Sequence, residues 1–94
     1  MTAEVRRADD GYELLLDGVR IGCSFTEVRG HTVIFTHTEI DPGHEGKGYG
    51  GLLARSALDD VRARGEHVIA RCEFIRSWID KHPDYQDLLV SAHH

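Results

Sequence analysis

Ninety-four residues, 40% hydrophobic and 29% charged, make one soluble domain and leave no room for a second core. No stretch approaches the ~20 apolar residues of a membrane span, and the N-terminal Met-Thr-Ala-Glu-Val-Arg-Arg lacks the apolar region of a secretory signal, so a cytoplasmic protein is expected. A net charge of −5 argues against nucleic acid, whose binders cluster Lys and Arg, and mildly favours cationic or amine ligands.

Residues 4–8 and 12–16 flank Asp9-Asp10-Gly11, a turn signal, and read as a hairpin. Asp17-Gly18 makes a second turn into a strand over 19–29, where alternation places Val19, Ile21, Cys23 and Phe25 on one face. Gly30 leads into a fourth strand, 32–40. There Val33, Phe35, His37 and Glu39 are expected on one face, with Ile34, Thr36, Thr38 and Ile40 on the other. A helix is predicted from about 49 to 64 on the stripe Tyr49, Leu52, Leu53, Ala57 and Val61, closed by Gly65. Residues 67–72 read as a fifth strand. A second helix carries Phe74, Ile75, Trp78, Ile79 and His82 on one face and stops at Pro83. The order is ββββαβα. It is an α+β arrangement, mostly antiparallel, with one right-handed strand–helix–strand crossover that makes the fourth and fifth strands parallel. Cys23 and Cys72 are expected as free thiols. His93 and His94 read as the remnant of a purification tag, which leaves 1–92 as the domain.

Between the fourth strand and the first helix lies Ile-Asp-Pro-Gly-His-Glu-Gly-Lys-Gly-Tyr-Gly-Gly-Leu-Leu, residues 40–53, with five glycines in fourteen positions. So much glycine at a strand-to-helix junction suits a backbone that must approach a phosphate, because a helix N-terminus offers unpaired N–H groups and partial positive charge. A P-loop does not fit, since Gly43 stands too close to Gly46-Lys47 and Gly48 replaces the hydroxyl residue. Gly46, Gly48 and Gly51 match G-x-G-x-x-G, but the chain is too short for a doubly wound dinucleotide fold. A pyrophosphate held by backbone amides survives both tests.

Glu45-Gly46-Lys47-Gly48-Tyr49-Gly50 resembles the acetyl-CoA pyrophosphate loop, Gln/Arg-x-x-Gly-x-Gly/Ala, of the GCN5-related N-acetyltransferases. Cys72-Glu73-Phe74 and His82-Pro83-Asp84-Tyr85 resemble the Cys-Pro-Phe and His-Pro-Glu-Tyr signatures of the small single-domain branch of that superfamily. Glu45 stands where Arg or Gln is usual, and Glu73 replaces the usual proline. The resemblance implies a minimal fold of this family, with the two parallel strands splayed so that pantetheine slips between them. It also implies acetyl-CoA as cofactor, an amine as acceptor, and transfer of the acetyl group from one to the other. Glu45, Gly46, Lys47, Gly48, Tyr49, Gly50 and Gly51 would hold the pyrophosphate. The backbone at Ile40 would bond pantetheine.

Amine attack on a thioester needs a base for the amine, a donor to the oxyanion and an acid for the leaving thiolate. Strand alternation sets Glu39 beside His37, and family enzymes often place a general-base glutamate here; the alternative is a solvated strand end. A metal site on His37, Glu39, His31 and His44 is not expected, for want of a convincing third ligand. Cys72, at the start of the second helix, is either a nucleophile or acid for the thiolate or an inert core thiol. Tyr85 is either the proton donor that many acetyltransferases place late in the chain or a packing residue. The short chain leaves the acceptor site open unless a protein partner or second copy completes it. An acyl-CoA-binding module with little turnover, and a cofactor-free interaction domain, are the two alternatives to an enzyme.

Overall fold

The computed structural model describes residues 2–90. Strands β1 (Ala3–Ala8), β2 (Gly11–Leu16), β3 (Val19–Arg29) and β4 (Thr32–Ile40) run antiparallel in sequence order, and β5 (His67–Ala70) adds parallel to β4. Asp17 and Gly18 both take positive φ, 50° and 83°, as a tight two-residue hairpin between β2 and β3 requires. Helix α1 (Tyr49–Ala63) joins β4 to β5 and touches all five strands, while α2 (Glu73–Asp80) follows β5 and packs on β4 and β5. Short 3-10 segments, Pro42–His44 and Pro83–Leu88, precede α1 and follow α2. The expected ββββαβα order and the parallel final pair are present. His93 and His94 lie outside the described residues. Among the described residues no helix is long and apolar enough to cross a membrane.

The core lies between one face of the sheet and the two helices. Tyr12, Leu14, Ile21, Val33, Phe35 and Val68 meet Leu53, Ala57, Leu58 and Val61 of α1 and Ile75, Trp78 and Ile79 of α2. Each fully buried Leu or Ile contributes about 1.5–3 kcal/mol, so α1 stays on the sheet by this stripe and not by helix propensity. The stripe is rotated from the predicted one. On α1, Ala54 and Leu58 are buried, whereas Leu52 stands 36% exposed; on α2, Phe74 of the expected apolar face stands 40% exposed.

Two bulges overturn the strand faces expected from strict alternation. On β3, Leu14 pairs with Gly22 but Leu15 with Arg20, so Ile21 is an extra residue. Ile21 therefore joins the helix-side core, while Cys23, though buried, lies outside that cluster. On β4, Phe25 pairs with His37 but Thr26 with Phe35, which makes Thr36 the extra residue. One inserted residue inverts every later side chain. Val33 and Phe35 face the helices, but beyond the bulge it is Thr38 and Ile40 that do, and His37 and Glu39 project from the opposite face.

Candidate active site

The parallel pairing of β4 with β5 lasts four residues, Thr32↔His67 to Phe35↔Ala70. It ends where the N–H groups of Arg71 and Cys72 both donate to Phe35 O, at 3.0 and 2.8 Å, and the chain turns into α2. β4 continues to Ile40 with no strand on that side among the described residues. Asp41 N–H donates to Ile21 O at 2.8 Å, so the odd-numbered residues of this half of β4 bond to β3. The peptide groups of Thr38 and Ile40 therefore face the unpaired side. The bulge at Thr36 sets this phase.

The unpaired edge forms one wall of a slot of about 360 Å³. Thr38 and Ile40 line it from β4, His44, Glu45, Gly46 and Gly48 from the loop, Gly50 and Gly51 from the first turn of α1, and Phe74 from α2. Gly46 and Gly48 have φ of 77° and 83°, a left-handed conformation that side-chain-bearing residues adopt only at a cost. Gly48 caps α1 with no side-chain hydrogen bond, and Leu52 N–H to Gly48 O, 3.1 Å, is the helix's first bond. The N–H groups of Tyr49, Gly50 and Gly51 thus have no acceptor within the helix. A Cβ on Gly50 would stand 2.8 Å from Phe74 Cζ, so the glycine lets that ring lie against the opening turn of α1.

This is a cradle for an anion continued by a strand edge. Bare amides at a helix N-terminus suit a diphosphate, and the unpaired Thr38 and Ile40 peptides suit an extended arm carrying amides of its own. The residues present fit the acetyl-CoA that the resemblance implies.

Cys72 lies just behind the slot. It is 5% exposed, caps the N-terminus of α2, and donates from Sγ to Thr38 Oγ1 at 3.3 Å. Thr38 Oγ1 is 2.9 Å from Ser24 Oγ, itself 1% exposed. Thiol and slot are thus separated by one hydroxyl. Lys47 and Glu45 are exposed in the loop, and Tyr49 is half-buried with its ring edge-on to His44.

His37 and Glu39 are adjacent as expected, His37 Nε2 to Glu39 Oε2 being 3.0 Å, and His37 stacks on Phe25 at 6.3 Å. Their side chains are 60% and 62% exposed, on the face away from Cys72. Of the two readings of Tyr85, proton donor or packing residue, the geometry favours packing. Its hydroxyl donates to Asp59 Oδ1 at 2.7 Å and accepts from Arg55 Nη1 at 3.2 Å, its ring packs edge-on to Trp78, and it does not line the slot. The bond to Asp59, and then burial, raise the phenol above its ordinary range, so it keeps its proton and its bond to Asp59 at neutral pH. His82 belongs to the same cluster, stacked on Trp78 at 3.8 Å and donating Nδ1–H to Trp78 O. Among the described residues no three His, Cys, Asp or Glu side chains form a metal-holding group.

Thr38 and Phe74 are site residues that sequence reasoning missed. Alternation places Thr38 on the Ile40 face, but nothing in the sequence marks where β5 ends. His44, which the sequence offers only as a candidate metal ligand, also lines the slot.

A family model described as GCN5-related N-acetyl-transferase matches residues 11–88. The solution structure of a GCN5-like protein from Staphylococcus aureus superposes with a TM-score of 0.72 at 19% identity, covering 97% of this chain and 91% of its own. The ribosomal-protein-S18-alanine N-acetyltransferase from Escherichia coli superposes with a TM-score of 0.60 at 18% identity, over 68% of this chain and 43% of its own. At these identities the two structures show the fold. No curated protein sequence matches the chain.

Proposed function

Because the chain belongs to the GCN5-related N-acetyltransferase family, we propose that it binds acetyl-CoA in the slot between β4 and α1 and transfers the acetyl group to an amine. The observation that carries this reading is the unpaired edge of β4, delivered by the Thr36 bulge to the same slot as the uncapped N-terminus of α1.

The backbone amides of Gly46 to Gly51 hold the diphosphate, with Lys47 adding charge from the loop and Glu45 subtracting it. The peptide at Ile40 orients the arm along β4. Bound acetyl-CoA supplies an activated acyl group; the chain supplies alignment and proton handling. Glu39, hydrogen-bonded to His37, accepts the amine proton from the open face of the sheet. Cys72 provides the thiol nearest the slot, as acid for the leaving thiolate or as acyl acceptor, with Thr38 between. The acceptor is an amine of a small molecule or a protein, and the open face is available to a partner protein or a second copy.

One observation favours a second reading, an acyl-CoA-binding module with little turnover. The Tyr85 hydroxyl is committed to Asp59 and Arg55, which leaves the slot without a phenolic acid. Calorimetric titration with acetyl-CoA and CoA, followed by intact mass and an amine screen, separates the readings. Micromolar binding with acetylation of an amine is expected. Binding without turnover supports the module, and absence of binding overturns both.

A further inference from the structure

The slot has little to offer an anion besides its amides. Among its lining residues the side chains are apolar, hydroxylic or, at Glu45, acidic, and His44 is the single one able to carry positive charge. Glu45, exposed beside it in the lining, brings negative charge to the same slot. His44 Nδ1 is also shut off from solvent with no hydrogen-bond partner, the one such side-chain atom among the described residues. Buried polar atoms are so regularly paired that an orphan calls for a cause. The ring lies edge-on to Tyr49, 6.1 Å between centroids, and the His44 backbone N–H donates to Asp41 O at 2.8 Å, which fixes the backbone that carries the ring. Only the broad two-fold torsion χ2 remains to aim the nitrogens.

We propose that His44 is the cationic contact inside the slot for the diphosphate of the bound cofactor, taking up a proton as the cofactor binds and offsetting the negative charge of Glu45. This rests on the acetyl-CoA reading of the slot. The proton-binding groups on the elements that form the slot with His44 are Asp41 and Glu45 on its own segment, Lys47 in the loop, Tyr49 on α1, and Cys72 and Glu73 beside Phe74 at the start of α2; Glu39 and His37 project from the far face of β4. Carboxylates and ammonium groups ordinarily titrate outside pH 6–8, and imidazole within it. An anion stabilises the imidazolium, so the bound form holds its proton to higher pH than the free form. The gain in affinity is complete at low pH and lost as pH rises through the bound-state titration.

The test is calorimetry with CoA at pH 6 and pH 8, in buffers of different ionisation enthalpy, on wild type, His44→Phe and His44→Arg. His44→Phe keeps the ring edge against Tyr49, and His44→Arg keeps the charge at both pH values. Wild type is expected to bind about five- to tenfold more tightly at pH 6, with net proton uptake. His44→Phe should lose that uptake and bind at pH 6 about as wild type does at pH 8. His44→Arg should bind tightly at both. The 3′-phosphate of CoA also titrates near pH 6, but equally for all three proteins. Equal pH dependence in wild type and His44→Phe overturns the proposal while leaving the cofactor reading intact. Absence of CoA binding by wild type at both pH values overturns the cofactor reading itself, and the proposal with it.

Discussion

The Cys72 thiol meets the Thr38 hydroxyl at 3.3 Å where the β4–β5 pairing ends, with the slot on one side of Thr38 and Ser24 on the other. The contact ties the N-terminus of α2 to the strand that would carry the acyl arm. Cys72→Ala removes a buried group and one hydrogen bond, and should lower stability by about 1–2 kcal/mol in urea denaturation. CoA affinity should hold, because the thiol does not line the slot, while acetyl transfer should fall. Full transfer by Cys72→Ala would leave the residue a core thiol.

Gly48 combines φ of 83° with the N-cap position of α1. Gly48→Glu introduces left-handed strain of about 1–3 kcal/mol and a negative charge beside the proposed diphosphate site. CoA binding should weaken by about two orders of magnitude or more. Gly48→Asn tolerates the backbone and stays neutral, so it should retain most of the affinity. Calorimetry reads both, with Tm as the folding control. Unchanged binding by Gly48→Glu would move the anion site elsewhere.

Glu39 is exposed and bonded to His37, so Glu39→Gln should leave Tm and CoA affinity near wild type. If the carboxylate takes the amine proton, kcat falls about 10²-fold or more at neutral pH with little change in cofactor KM. Steady-state kinetics with the best amine from a screen measure this. Undiminished kcat removes Glu39 from the mechanism.

Tyr12 and Tyr85 share an alkaline signature. Burial, followed by the 2.7 Å bond to Asp60, raises Tyr12 well above the phenol range, and the bond to Asp59 leads the same shift at Tyr85. For a group whose folded pKa exceeds its unfolded one, the stabilisation is complete below the unfolded value near 10 and is lost as pH climbs through the folded value. Unfolding free energy should therefore hold up to about pH 10 and then decline. Tyr85→Phe should flatten part of that decline and cost about 1 kcal/mol at neutral pH. CoA affinity should not change, and its loss would return Tyr85 to the site.

How far the sequence could be read is clearest along β4. The β-branched run Thr32–Ile40 and the glycines beyond it marked strand, loop and helix start, and the structure has all three. The pairing of His37 with Glu39 was also legible, because a spacing of two on a strand brings side chains together. The face they share was not. It changes at Thr36, a residue with no glycine, proline or other local mark, because a bulge is set by the register against β3. Tyr85 stayed open between two roles for a related reason: His-Pro-Asp-Tyr reads the same whether its phenol meets a slot or, as here, Asp59 and Arg55.

Composition, periodicity and turn chemistry thus determined the order of elements and the place of the glycine loop, because propensity, alternation and left-handed glycines act over a few neighbouring residues. Only the tertiary structure decided where β5 stops short of β4, which peptides are left unpaired, and that Thr38 stands between Cys72 and the slot. Those outcomes depend on hydrogen-bond register and packing between segments up to 34 residues apart. One residue of slip there inverts every side chain beyond it.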